Sequence, residues 1–322
     1  MGSPKPLIGN QVRHILIILS LFLFSFIIFS CSEKEESSTT TTSRPLFVSV
    51  GNSGTILTSS DGTTWTSKTS GTTEDLYGVT YANSTFVVVG TSGTILTSSD
   101  GTTWTSRTSG TSNYLANVTY ANSTFVTVGD NATGSGTILT STDATTWTSR
   151  TSGTTRRLTE LTYANSIFII VGYEGTILTS SDGITWVDRS WSSRLNRFNG
   201  VTYANSIFVV TGSAGRILTS SDGTSWDNRT YETSNYLAGV TYGNSTFVTV
   251  GESGIILTSS DGISWDNRTY NTSSGLYHVT YGNSTFMTVG ESGTILTSSD
   301  GITWTARTSG TSNTLNKITY KE

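Results

Sequence analysis

Seven carboxylates stand in the same local frame. Asp61, Asp100, Asp143, Asp182, Asp222, Asp261 and Asp300 each follow a serine by two residues and precede a tryptophan by four, giving Trp65, Trp104, Trp147, Trp186, Trp226, Trp265 and Trp304. A carboxylate in a tight polar turn offers a general acid or base. The spacing argues against that use here. The tryptophans are separated by 39, 43, 39, 40, 39 and 39 residues, and equivalent carboxylates one repeat unit apart do not converge into one acid/base pair. The basic residue three positions after each tryptophan (Lys68, Arg107, Arg150, Arg189, Arg229, Arg268, Arg307) is equally regular. It reads as a repeated outer-strand residue that pairs locally or covers apolar surface with its alkyl stem. The two histidines, His14 and His278, and the single Cys31 supply neither a metal-ligand set nor a nucleophile triad. No cofactor is expected, and His278 is expected to line a central channel.

The residues that escape the repeat carry more information. Arg156, Arg157, Arg194, Arg197 and Arg216 all fall outside the repeated basic position. Gathered guanidinium groups suit a carboxylate, sulfate or phosphate, and the extra tryptophan, Trp191, would add a stacking surface for a sugar or aromatic group. The plainer reading is a set of solvated arginines, some paired with Glu160 or Glu174. Glu74, Asp75, Glu252 and Glu291 belong to other sectors and would give the surface a dipolar charge pattern. With a net charge of −4 and a pI near 5.2, the chain has no general attraction for polyanions, so no nucleic-acid partner is expected.

These residues need elements to position them. A repeat of about 40 residues with one tight turn and one tryptophan has the size of a four-stranded propeller blade. The composition is all-β, with 12% charged residues, 33 glycines, 3 prolines and abundant Thr, Ser, Val and Ile. In the second unit the period-two pattern predicts strand A over residues 76–81, B over 85–89, C over 93–98 and D over 104–108. Asn, Ser, Asp and Gly fill the connections. The first unit begins directly at a B strand, residues 46–50, and the chain ends on an unmatched A strand, residues 315–320. Pairing the two completes a seven-bladed β-propeller and leaves no open blade edge. An open solenoid would strand half a blade at each end. In a meander of this order the D-to-A and B-to-C connections share one face. That face holds the variable residues, including the insertion near Asp130, whereas the opposite face is nearly constant between copies. Ligand-binding residues belong on the variable face.

The Ser-x-Asp-Gly-x-x-Trp segment resembles the Asp-box, or BNR, repeat of sialidase-like propellers, and Gly-Thr-Ile-Leu-Thr-Ser beside it resembles the repeat of photosystem II assembly factors. The resemblance spans residues 46–320 and implies that the Asp and Trp are structural, the carboxylate accepting N–H bonds within its turn and the indole packing between strands. Asp61 and Gly62 are adjacent where the usual box separates them, and Ala144 replaces the glycine in the third copy. If that position needs positive φ, Ala144 costs about 1 kcal/mol. A sialidase would also imply an arginine triad, a Tyr/Glu couple, an acid/base Asp and an Arg-Ile-Pro motif. Arg44-Pro45-Leu46 is not that motif, and no Tyr/Glu couple can be assigned. Paired glycosidase carboxylates would have to be unique residues, and nothing singles out Glu174 or Glu291.

The N-terminus carries Lys5, Arg13 and His14, then an apolar run over residues 15–29 and Cys31. Such a run has the length of a signal-peptide core and is short for a membrane span. Ile28-Phe29-Ser30-Cys31 resembles the lipobox of bacterial lipoproteins, in the relaxed form known from spirochaetes because of Phe29. The resemblance implies a signal peptide over 1–30, diacylglycerol on Cys31 and a membrane partner reached through that lipid. An uncleaved anchor helix and a plain secretory signal are the alternatives. Residues 31–45 have nothing apolar to bury and read as a solvated Ser/Thr/Glu tether; residues 46–322 form the propeller. The expectation is a monomeric, non-enzymatic binding or scaffold domain in the bacterial cell envelope, lipid-anchored at the outer membrane, with a protein or glycan ligand. The alternative is a surface glycoside hydrolase of sialidase-like type.

Overall fold

The computed structural model describes residues 1–2, 46–191 and 196–322. The chain divides into two units, Met1–Ser43 and Arg44–Glu322, and the second holds every copy of the repeat. The expected signal peptide, Cys31, the tether and Arg194 lie outside the described residues. Among those described, no helix is long and apolar enough to cross a membrane.

Seven four-stranded antiparallel sheets make up the second unit. In the second blade, strand A is Leu76–Ala82, B is Thr85–Gly90, C is Ile95–Ser98 and D is Thr105–Arg107. The B strand reads as continuous apolar sequence rather than alternating, because both faces of each blade are covered. Phe86, Val87, Val88 and Val89 are all fully buried, and each such side chain contributes about 1.5–3 kcal/mol on burial. Strand D is short and largely exposed, which blunts the outer edge against pairing with another chain.

The ring closes where the sequence predicts. Leu315–Lys321 pairs antiparallel with Leu46–Gly51, with Tyr320 opposite Phe47 and Ile318 opposite Ser49, so one sheet contains both ends of the domain. The core then lies between blades. One cluster, for example, joins Val48, Val50 and Ile56 of the first blade to Leu76, Phe86 and Leu96 of the second, with Trp104 packed against it.

The Ser-Asp-Gly turn is a backbone-satisfying device. Asp61 Oδ1 accepts the N–H groups of Thr63 and Thr64 at 2.8 Å each, and Ser59 Oγ accepts that of Gly62 at 2.8 Å. Gly62 has φ 74° and Ala144 has φ 60°, so the third copy holds an alanine in the left-handed region, as its sequence suggests. The repeated basic residue also has the expected outer-strand role. Arg107 and Arg307 each donate Nε to a strand C threonine hydroxyl at 2.8 Å. Strand C starts two residues later than its pattern predicts, because Thr91–Gly93 forms a 3-10 turn with Ser92 at φ 54°.

Candidate functional site

The two faces differ as expected. On one, the B-to-C turns bond to the segments entering strand A: Thr91 N–H donates to Asp75 O, and Gly93 N–H donates to Asn113 O of the next blade. On the other, Asn-Ser turns lace neighbouring blades, as where Tyr163 Oη donates to Asn122 Oδ1 at 2.9 Å. The variable face carries the mouth of a central cavity of about 440 Å³.

An irregularity in every inner strand shapes this cavity. The register against strand B shifts by one residue near its start, between Leu76 and Gly78 in the second blade and between Leu276 and His278 in the seventh. Such a bulge leaves the second residue unpaired and re-aims it. Successive residues, Thr159 with Glu160, Tyr277 with His278 and Asn316 with Lys317, therefore both line the cavity. Their second positions also tie blades together. Asn316 Nδ2 donates to Leu76 O at 2.9 Å, and Asn199 Nδ2 donates to Leu237 O at 3.2 Å.

The third positions form the floor. In blade order they are Lys317, Gly78, Asn117, Glu160, Gly200, Gly239 and His278. Lys317 of the first blade reaches Glu160 of the fourth, Nζ to Oε2 at 2.5 Å, with side chains 11% and 14% exposed. Asn117 Nδ2 donates to the other oxygen of Glu160. Burial, reinforced by the charge of Lys317, pushes the His278 pKa well below its ordinary value, so the imidazole is neutral. The cavity lining includes Lys317, Glu160 and His278 but none of the threonines two residues further along the inner strands. The cavity therefore ends at the ion pair.

At the mouth, aromatic rings and guanidinium groups alternate. Tyr77 meets Tyr114 edge-on at 4.8 Å between centroids. Arg157 lies 5.7 Å from the centre of the Tyr114 ring and 5.2 Å from that of Tyr173, and Arg197 lies 4.5 Å from the same Tyr173 ring. Arg157 is anchored by Asp130 of the insertion at 3.0 Å. Arg197 is exposed, lines the cavity and is in none of the described ion pairs.

The structure thus gathers only part of the basic sector read from the sequence. Arg157 and Arg197 share Tyr173. Arg156 is drawn to Glu174 at 3.4 Å. Arg216 points Nη1 toward strand D, to Thr230 Oγ1 at 2.9 Å and Asn228 Oδ1 at 3.3 Å. Trp191 is not a free platform: it packs partly buried against Val171, Ile177 and Phe198. The acidic residues serve turns. Glu74 accepts from Thr91 and Ser92 hydroxyls, and Asp75 accepts from Ser53 N–H.

One pair that the sequence could not assign is present. Tyr277 Oη donates to Glu291 Oε1 at 2.7 Å, and Glu291 also accepts the Gly275 N–H at 2.9 Å. Desolvation and this bond raise the tyrosine pKa, while the backbone bond from Gly275 and the Tyr277 hydroxyl lower that of Glu291. The couple is therefore a neutral donor on an ionised acceptor, the reverse of an activated nucleophile. No cluster of three metal-ligating side chains occurs among the described residues.

No family model and no curated protein matches the chain. Solved structures share its fold. YCF48 bound to D1 peptide superposes with a TM-score of 0.64 at 16% identity, covering 78% of this chain and 86% of that one. Virginiamycin B lyase from Staphylococcus aureus gives 0.65 at 12% identity, covering 72% and 83%. The WD40 propeller domain of Doa1 gives 0.60 at 14%, covering 85% and 96%. At these identities the likeness is one of fold.

Proposed function

We propose that the protein is a non-enzymatic binding propeller, held at the cell envelope by a lipid on Cys31, that takes a protein or glycan ligand at the channel mouth. The observation that carries this reading is Arg197, which lines a cavity that ends at an ion pair and shares the Tyr173 ring with Arg157 beside the mouth. A concave site with aromatic walls and a few placed polar groups is what a ligand pocket requires. The YCF48 structure, solved with a bound peptide, supports the same use of the fold. The test is to screen the full-length chain against peptide and glycan arrays alongside its Arg197→Ala, Tyr173→Ala and Arg216→Ala variants. Ligands should bind the first two variants roughly tenfold more weakly and bind the third unchanged. Ligands indifferent to Arg197 and Tyr173 would overturn the assignment. For the anchor, Cys31→Ser should lose both fatty-acid label and detergent partitioning, and retention of both would refute lipidation there.

A second reading, a surface glycoside hydrolase, would have to use the Tyr277 and Glu291 couple, which has the hydrogen bond of a nucleophile pair but not an activated tyrosine. Turnover of sialosides or other glycans, abolished by Glu291→Gln, would establish it in place of the first.

A further inference from the structure

At the floor of the cavity the repeat abandons its own template. At the third position of the inner strand three copies carry Gly78, Gly200 and Gly239, whereas the others place Lys317, Asn117, Glu160 and His278 there. A buried ion pair is commonly no more stabilising than apolar residues of the same size. Stability alone therefore does not account for it.

The free atoms of the floor have a definite character. Among the residues that line the cavity, Asn199 Oδ1 and His278 Nδ1 are buried and have no hydrogen-bond partner. Beside these sits the Lys317 ammonium, one of whose three donors is spent on Glu160. Acceptors and a donor are thus mixed, and Lys317 and Glu160 cancel in charge. Tyr77, Tyr236 and Tyr277 rise from this floor as walls. A bare anion finds a cation already neutralised, and the end of a peptide would bring net charge to a floor that has none. Hydroxyl groups both donate and accept, and a pyranose adds an apolar face that stacks on an aromatic ring.

We infer that the channel floor is a saccharide pocket that receives one uncharged sugar residue at the end of a glycan, its ring against a tyrosine wall and its hydroxyls on Asn199, His278 and Lys317. This rests on the channel mouth being the ligand site and adds the ligand's chemical class. Pocket size agrees with the assignment, since about 440 Å³ lies in the range of small-molecule sites.

The experiment is saturation-transfer NMR on the full-length chain in detergent with methyl pyranosides of glucose, galactose, mannose and N-acetylglucosamine. At least one should bind, and Asn199→Ala or Tyr77→Ala should weaken it roughly tenfold. Where a single variant fails to fold, the double replacement Lys317→Met with Glu160→Leu tests the floor, because an apolar pair of similar volume preserves packing; it should abolish binding while thermal unfolding stays cooperative. Sugar binding that survives the double replacement overturns the floor assignment. If no glycoside binds but array peptides lose affinity on Arg197→Ala, the saccharide inference falls and the mouth site stands. If neither class depends on these residues, both fall.

Discussion

Asp182 accepts the backbone N–H groups of Ile184 and Thr185 at 2.8 Å each, and these bonds pull its pKa down to about 2. The other six turn aspartates are lowered in the same direction by bonds within their own turns. A depressed carboxylate contributes stability that is complete above its unfolded pKa, 3.8, and is lost as pH falls through the folded value. His278 has the same sign in a higher window. Its folded pKa lies well below 6.5, so only the unfolded chain takes up a proton there, and stability is complete above 6.5 and declines as pH falls below it. The urea midpoint should therefore be level above pH 6.5, fall gently below it, and fall more steeply below about 4. His278→Gln should remove the first slope and leave the second. An unchanged profile in that variant would assign the upper slope to another group.

The turn between strands C and D shows how one element tolerates a methyl group in one blade and not in another. Ala144 has φ 60° and is 1% exposed, in a cluster that includes Val87 and Leu139. Replacing it with glycine relieves about 1 kcal/mol of backbone strain and gives up about 0.8 kcal/mol of methyl burial, so Ala144→Gly should change stability by less than about 0.5 kcal/mol. Gly223 occupies the same turn two blades on, at φ 74°, where a Cβ would lie 2.6 Å from Ile167 Cδ1 and 2.9 Å from Ile169 Cδ1. Gly223→Ala should cost about 2–3 kcal/mol by strain and overpacking together, read from urea unfolding. Equal effects at the two sites would mean that the facing residues yield. The strained alanine was legible in the sequence, because six sister copies carry glycine there. Blade order and closure were legible too, because these depend on local turns and matching strand counts. The cavity floor was not legible. Period-two reading sends successive residues to opposite faces, whereas the bulge in each inner strand turns two of them the same way, and the floor is assembled from points dispersed along the chain. The partners of the basic sector were illegible for a related reason: sequence places Arg156 and Arg216 on one face but does not show their turning to Glu174 and Thr230.

For the molecule as a whole, Lys317 and Glu160 join the last strand to the fourth blade, 157 residues apart in the chain. Strand pairing and apolar clusters act between neighbouring elements, whereas this bond acts across the ring. Removing one partner leaves the other charge buried without its complement, a change that typically costs about 3–5 kcal/mol. Glu160→Leu and Lys317→Met should each destabilise on this scale, while the two together should cost less than either alone, the remainder coming from Asn117 Nδ2, which loses its Glu160 acceptor. The three variants form a double-mutant cycle whose coupling term should exceed about 2 kcal/mol, because residues sharing a buried contact are far from additive. Urea denaturation at neutral pH, followed by tryptophan fluorescence from every blade, measures both the midpoints and whether the ring still unfolds in one transition. Single variants that cost less than about 1 kcal/mol would show the pair to be solvated like a surface bridge and the closure to rest on strand pairing alone.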